Sequence, residues 1–443
     1  MSTSRRKFLQ STFLGTAGVM LSPNLSARSY GRVIGANDRL NVAIIGLGRR
    51  LGAFTGSLSE ETNNVNISYL CDVMPHQLER AAEKFSELID YTPKLESDIR
   101  KVLEDKDLDA VFNATPDHWH TPGALMAMKA GKHVYVEKPC SHNMYENKII
   151  VEAAKKYNKV VQNGTQQRSS IPSQEVIKKI HDGAIGQPYR AVAFYTNGRG
   201  RVPNQKPADI PGGLDWELFQ GPAPRRAYTS ETWNYNWHWY GWDYGTAEAG
   251  NNGTHEIDVA RWALQVEYPE RVDVDAGKGH FLDDGWEMYD NMYAIYKFDG
   301  NKSIAWDGRS RNRYDTYGTG RGTIIYGSDG SVYVDRNKYI IYDREGNKVT
   351  DFESDVQESG VALGGGGGAS NTHIANFLNT IRGTDKLNAP IDDSAISQAM
   401  VHYANVAYRI NSGFDVDDDG RMLDRKAMTL WSREYEKGWE VKL

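Results

Sequence analysis

The run Leu40-Asn41-Val42-Ala43-Ile44-Ile45 is short, apolar and rich in β-branched residues, and it stops at Gly46-Leu47-Gly48-Arg49-Arg50-Leu51-Gly52. Such a run bounded by glycine reads as a buried strand, and a helix-compatible segment follows it. A strand that turns through glycines straight into a helix is the opening of a nucleotide-binding βα unit. Gly46 would permit the tight turn, and Gly48 would let the backbone approach a pyrophosphate seated on the helix N-terminus. The third glycine, Gly52, comes one residue late for GxGxxG, so the fingerprint needs its second half. Val65-Asn66-Ile67-Ser68-Tyr69-Leu70-Cys71 supplies a second strand and ends on Asp72, and 72 − 48 = 24 residues separate that acid from Gly48. A carboxylate there accepts ribose hydroxyls and repels a 2′-phosphate, which favours NAD over NADP.

The alternation continues. Helical patterns cover residues 77–88, 122–129 and 145–157, and strand patterns cover 110–115, 133–136 and 159–161. Strands alternating with helices predict a doubly wound parallel sheet, here over residues 38–162, with ligands off the carboxyl ends of its strands. Two chemically loaded segments stand at such ends: Thr115-Pro116-Asp117-His118-Trp119-His120 and Glu137-Lys138-Pro139. Residues 163–443 then read as a second α/β region. Its hairpin signal is 322–327 and 331–334 joined by Ser328-Asp329-Gly330, and helices over 374–381 and 394–410 have spacing suited to packing back on the core. The glycine run 364–368 reads as a surface loop.

Several function classes fall away. With 52 basic and 58 acidic side chains the net charge is −6, and no basic run offers the clustered cations that nucleic acid demands. Cys71 and Cys140 cannot build a disulfide framework, and no cysteine or histidine spacing suggests zinc. Asp415-Val416-Asp417-Asp418-Asp419-Gly420 imitates a calcium loop, but Lys426 stands where a bidentate Glu is required. No metal is expected. The stretch from Trp233 to Tyr244 places seven aromatic residues in twelve positions. Aromatic faces stack on sugar rings, and they also fill cores and interfaces, so both readings stand for this segment.

At the N-terminus, Ser4-Arg5-Arg6-Lys7-Phe8-Leu9 precedes a Gly-diluted apolar run, Phe13 to Leu21, and small residues follow near Ser26-Ala27. This resembles a twin-arginine export signal, and residues 1–33 are set aside as signal and linker. The apolar run is shorter than the ~20 residues a span requires, so no membrane span is expected. The expected location is the periplasm or another exported site, with the twin-arginine machinery as a partner.

Taken as a set, Gly46-Leu47-Gly48, Ala114-Thr115-Pro116 with His120, Glu137-Lys138-Pro139 and His255-Glu256-Ile257-Asp258 resemble the glucose-fructose oxidoreductase/inositol dehydrogenase/rhizopine catabolism (Gfo/Idh/MocA) family. The resemblance implies an N-terminal Rossmann domain and a C-terminal α/β domain whose open sheet is mostly antiparallel. One face of that sheet would cover the nicotinamide, and the other often makes a dimer or tetramer, so a homo-oligomer is expected. The residues implied at NAD are Gly46, Gly48, Arg49, Arg50, Asp72, Thr115, Pro116, Trp119, His120, Glu137, Lys138 and Gln166. Arg168, Trp237, Tyr240, Asn251, Asn252 and Asp258 are the candidates for a small carbohydrate substrate. Arg168 has a structural carboxylate as its other possible partner.

By the same resemblance, Lys138 and His255 act on the substrate hydroxyl. Oxidising a secondary alcohol needs one group to hold the oxygen and another to take its proton while hydride leaves the carbon. An unperturbed imidazole titrates near neutrality, which makes His255 the first choice of base and Lys138 the holding cation; the reverse stays open. The chain departs from the family pattern in two places. Asn251 stands where many members carry an acid, and Gln166 where asparagine is frequent. The expected activity is NAD(P)-dependent oxidation or reduction of a ring hydroxyl of a sugar, glycoside or cyclitol, with a 3-keto-sugar among the products. The alternative is a glycosidase of the family 109 type that oxidises, eliminates and re-reduces. A non-catalytic sugar-sensing protein on the same fold is a third class. An exported enzyme has no ready means of recycling free NADH, so the cofactor is expected to be tightly held.

Overall fold

The computed structural model describes residues 38–230, 235–354 and 367–443. The export signal with Arg5 and Arg6, Trp233, and Gly364 to Gly366 lie outside the described residues.

Six strands form the first sheet: β1 Leu40–Ile45, β2 Val65–Cys71, β3 Lys94–Glu96, β4 Ala110–Asn113, β5 His133–Val136 and β6 Val161–Asn163. They run parallel in the order β3-β2-β1-β4-β5-β6. Val42, Ala43 and Ile44 are wholly buried, as a central strand covered by helices on both faces requires. The expected doubly wound sheet is therefore present, and its edge strand β3 is one the sequence patterns did not indicate.

Two boundaries move for physical reasons. The helix expected from residue 122 begins at Asp117 and runs Asp117–Lys129, with Pro122 inside it. Proline cannot donate to the carbonyl four residues earlier, and here the Arg433 guanidinium donates to that His118 oxygen at 2.7 Å instead. The strand expected at 159–161 lies at Val161–Asn163. The preceding helix, Met144–Tyr157, ends in the left-handed Asn158 with Lys159 N–H still bonded to Ala154 O, so the chain reaches the sheet later.

The second sheet contains β7 Pro188–Gly198, β8 Arg271–Gly277, β9 Asn291–Phe298, β10 Lys302–Arg309, β11 Arg311–Asn312, β12 Arg321–Gly327, β13 Gly330–Val334, β14 Lys338–Asp343, β15 Lys348–Glu353 and β16 Phe414–Asp415. Its order is β15-β14-β13-β12-β7-β10-β9-β8-β16, with β11 paired to the end of β7. All pairs are antiparallel except β7 with β10. Helices Ile171–His181, Thr254–Leu264 and Ile391–Ile410 lie on this sheet. The helix Gly368–Ile381 returns to the first sheet, where Ile374, Phe377 and Leu378 pack with Phe54 and Phe112. It starts six residues before the expected 374, so Gly368 of the glycine run is helical. Among the described residues no helix is long and apolar enough to cross a membrane.

Candidate active site

The glycine turn fits its sequence reading closely. Gly46 has φ +86°, and a Cβ there would stand 2.5 Å from the Ala114 carbonyl oxygen, so the β1 and β4 ends meet only across a glycine. Around Gly48, among the described residues and apart from its own chain neighbours, no atom lies within 4 Å of where a side chain would begin. The helix that follows, Leu51–Ser59, has neither a capping side chain nor an acid in its first turn. No side chain therefore competes with an anion at this helix N-terminus, although the Leu51 and Ala53 amides bond the Gly48 and Arg50 carbonyls, and the space over Gly48 fits the backbone approach of a dinucleotide pyrophosphate. At the end of β2, Asp72 accepts the amides of Leu47 at 2.7 Å and Met74 at 2.9 Å. Burial pushes its carboxyl up from the usual value, against the pull of those two amides. Arg80 holds the turn from below through the Leu47 and Gly48 carbonyls.

The strand-end segments are bound to one another. Arg50 Nε donates to Glu137 Oε1 at 2.7 Å, and Gln166 Nε2 donates to the same oxygen at 3.1 Å. His120 spans two loops, with Nδ1 2.5 Å from Pro139 O and Nε2 2.7 Å from Thr115 O. A single cavity of about 800 Å³ opens above these contacts. Every residue expected at NAD lines it, and so do Lys138, His255, Asn251 and Trp237.

The segment between β7 and β8 closes the other side. Leu214, Trp216, Phe219, Tyr228 and Tyr244 pack with Met74 into a small apolar cluster just beyond Asp72. Trp119 lines the cavity and anchors this segment, its indole N–H lying 3.0 Å from both the Leu218 and Phe219 carbonyls.

Lys138 Nζ donates to the carbonyl oxygen of Asn251 at 2.5 Å. Burial lowers its pKa to about 8. His255, at the start of the helix Thr254–Leu264, has no hydrogen-bond partner on either ring nitrogen among the described residues. Burial, with Arg336, Lys138, Arg321 and Arg50 nearby, drives its pKa well below the usual imidazole value, so the ring is neutral.

Four expected substrate contacts are placed elsewhere. Arg168 forms a bidentate pair with Asp258, at 2.7 and 2.8 Å, and Ser397 Oγ donates to the same carboxylate at 2.6 Å. Burial alone would raise the Asp258 pKa, yet the Arg168 guanidinium holds it below the usual range. Of the two partners open to Arg168, it has the structural carboxylate. Tyr240 is fully buried and donates its hydroxyl to Pro203 O at 2.6 Å. Asn252 is fully buried and donates to Glu248.

The aromatic segment divides its duties. Trp239 stacks on Trp286 at 3.9 Å and Tyr244 is buried, whereas Tyr235, Trp237 and His238 line the cavity. Tyr235 has φ +67° and its hydroxyl accepts from Asn251 Nδ2 at 3.3 Å. Arg199 and Glu248 are further parts of the site that sequence reasoning missed. Arg199 lines the cavity, and Glu248 binds it from behind at 3.1 Å. No motif marks either residue, and their pairing crosses 49 positions. Among the described residues no cluster of His, Cys, Asp and Glu is arranged to hold a metal.

Residues 40–165 match the oxidoreductase family's NAD-binding Rossmann fold, and residues 170–363 match its C-terminal alpha/beta domain. The chain belongs to the Gfo/Idh/MocA family. Its first sheet is accordingly an NAD-binding Rossmann domain. Among Gfo/Idh/MocA relatives, a glycosyl hydrolase family 109 protein of Saccharopolyspora erythraea is 31% identical over 42% of this chain and 44% of its own length. The chain thus spans less than half the length of that relative. Myo-inositol 2-dehydrogenase of Thermotoga maritima is 22% identical over 70% of this chain and 80% of its own. A levoglucosan dehydrogenase solved with NADH and levoglucosan superposes with a TM-score of 0.64 at 19% identity, over 85% of this chain and 99% of the other. At that identity the likeness shows the fold.

Proposed function

We propose that this chain is an NAD-dependent oxidoreductase that oxidises, or in reverse reduces, a ring CH–OH of a sugar, glycoside or cyclitol. The carrying observation is that the Lys138 amine and the neutral His255 ring line the same cavity as the Gly48 and Asp72 dinucleotide cradle. NAD, when bound, supplies the hydride acceptor. The relatives named myo-inositol 2-dehydrogenase and levoglucosan dehydrogenase support this substrate class.

The electrostatics exchange the roles that unperturbed pKa values suggest. A base works best when its pKa lies near the operating pH. Lys138, at about 8, is partly neutral there and takes the hydroxyl proton, with the Asn251 carbonyl holding the amine in place. His255, too weak a base for that step, accepts a hydrogen bond and orients the alcohol. Asn251 hydrogen-bonds a substrate hydroxyl or Tyr235 but takes up no proton. Trp237 offers its face to the sugar ring.

Full-length protein is to be mixed with free sugars, inositols and aryl or alkyl glycosides, with and without added NAD, while the reduced-nicotinamide absorbance is followed. A band that grows with one sugar class supports the reading. Silence across the panel, with NAD bound, would overturn it.

The relatives named as glycosyl hydrolase family 109 proteins favour a second reading, in which the hydride returns to the product after elimination of a glycosidic substituent. Free sugar released from a glycoside without accumulating NADH would select it. Tight retention of NAD, export through Arg5-Arg6 and assembly into a homo-oligomer complete the proposal. Dialysis followed by nucleotide analysis, fractionation of cells expressing the full chain, and its mass in solution test these in turn.

A further inference from the structure

The residue four positions before His255 is Asn251, an amide, and the nearest acid upstream is Glu248. Between them the backbone changes character. Ala249–Gly253 is a π-helical turn, closed by the Thr254 amide reaching Ala249 O five residues back. Such a turn inserts a residue into a helix and is a recurrent feature of functional sites. Here the Asn251 main-chain carbonyl meets the Lys138 amine at 2.5 Å, while the Asn251 side chain turns toward Tyr235 and Glu248.

Glu248 is 2% exposed and does not line the cavity. Its carboxylate nonetheless gathers donors from three parts of the chain. It accepts from Asn251 Nδ2 at 3.3 Å and from Asn252 Nδ2 inside the turn, from Ser310 Oγ at 2.9 Å between β10 and β11, and from Arg199 just past β7 at 3.1 and 3.4 Å. The site residues on the turn are thus tied to the second sheet through one buried charge.

We infer that Glu248 is a positioning residue for Lys138, acting through the Asn251 turn. The inference rests on the proposed role of Lys138 as the proton-accepting group. An ionised carboxylate offers about four acceptor positions and no donor, which suits a centre that receives five N–H or O–H contacts. In Glu248→Gln half of that acceptor set becomes an NH₂ group, which cannot face Asn251, Asn252 and Arg199 together. The turn shifts, the Lys138 amine loses an acceptor that stabilises its charged form, and the Arg199 charge is left unbalanced nearby. Both changes favour the neutral amine.

The test titrates Lys138 itself. Wild type and Glu248→Gln are labelled across pH with an amine-reactive anhydride, and the modification of Lys138 is read by mass spectrometry. No turnover is needed, so the outcome is independent of whether the proposed oxidation is correct. The expected result is a Lys138 titration displaced to lower pH by about half a unit or more, with NAD affinity within about threefold of wild type. If Glu248→Gln does not fold, the double variant Asn251→Leu, Asn252→Leu removes both side-chain links between the carboxylate and the turn while leaving the Glu248 pair with Arg199, and the same displacement is expected. An unmoved titration in the folded variant would overturn the inference, leaving Glu248 a purely structural anchor. A displaced titration in a protein that oxidises no sugar would keep the positioning role and remove its catalytic meaning.

Discussion

The guanidinium of Arg49 stands 4.1 Å from the ring centroid of Tyr235, joining the glycine turn to the segment between β7 and β8. Tyr235 pays for this seat with a left-handed backbone, which costs a bulky residue on the order of 1–3 kcal/mol and persists where surroundings enforce it. Its hydroxyl meets the Asn251 side chain, so the ring roofs the cavity between the turn and Lys138. Tyr235→Gly releases the strain and removes the ring together. The melting temperature is expected to change little, because relief of the backbone strain offsets the lost cation–π contact of about 0.5–1 kcal/mol, while the lost wall raises the sugar KM roughly tenfold. Steady-state kinetics beside a thermal melt separate the two effects, and a fall in melting temperature with unchanged KM would contradict the roofing role.

Lys138 sets function against stability. Its folded pKa, about 8, lies below the usual 10.5, so between these values the unfolded chain binds more protons than the native one. Stability contributed by this site therefore rises with pH across that window, and below about 8 the full cost of burying the charge is present. That cost is at most about 3 kcal/mol, less where cavity water screens the amine. Lys138→Met is expected to melt higher than wild type at pH 7 and to lose sugar oxidation by a factor of about 10²–10⁴. Wild-type oxidation should rise through a limb near pH 8 as the amine becomes neutral. A pH-independent rate between 6 and 10 would remove Lys138 as the base.

Two glycines of one turn should fail in different ways. A Cβ at Gly46 meets the Ala114 carbonyl at 2.5 Å in a left-handed backbone, so Gly46→Ala damages the fold itself and lowers the melting temperature. A Cβ at Gly48 meets no described atom within 4 Å apart from its chain neighbours. Gly48→Ala is expected to fold normally and to lose NAD affinity, because the methyl takes the space needed by the pyrophosphate. Calorimetric titration with NAD alongside a melt reads both, and equal losses of stability in the two variants would defeat the distinction.

What the sequence made legible was local. Gly46, Gly48, Asp72 and Glu137-Lys138 each end a strand within a few residues of the feature that explains them, and the structure gathers them at one cavity. What it hid depends on distant partners. Pro122 looks like a helix start because nothing nearby announces that Arg433 will satisfy the His118 carbonyl. The central strand β7 shows no alternation to read, since its middle residues are buried on both faces. Glu248 carries no motif, and its meaning comes from Arg199 and Ser310. Tyr240 and Asn252 lay in suggestive strings, but their polar atoms turn inward to Pro203 and Glu248.

Arg168 and Asp258 give the sharpest contrast between a site string and a structural one. Asp258 follows His255 by one helical turn, and Arg168 follows Gln166, which does line the cavity. Both side chains turn away from it, toward each other and toward Ser397 and Asp393 on the helix Ile391–Ile410. A buried pair broken on one side leaves the other charge uncompensated, at a cost of about 3–5 kcal/mol. The Asp258 carboxyl is held below the usual range, so the pair's contribution is present above the unfolded carboxylate pKa and fades as acid protonates Asp258. Arg168→Met is therefore expected to lower the melting temperature sharply at neutral pH, less so in acid, with the sugar KM of the protein that remains folded unchanged. A raised KM in a variant of normal stability would return Arg168 to the substrate.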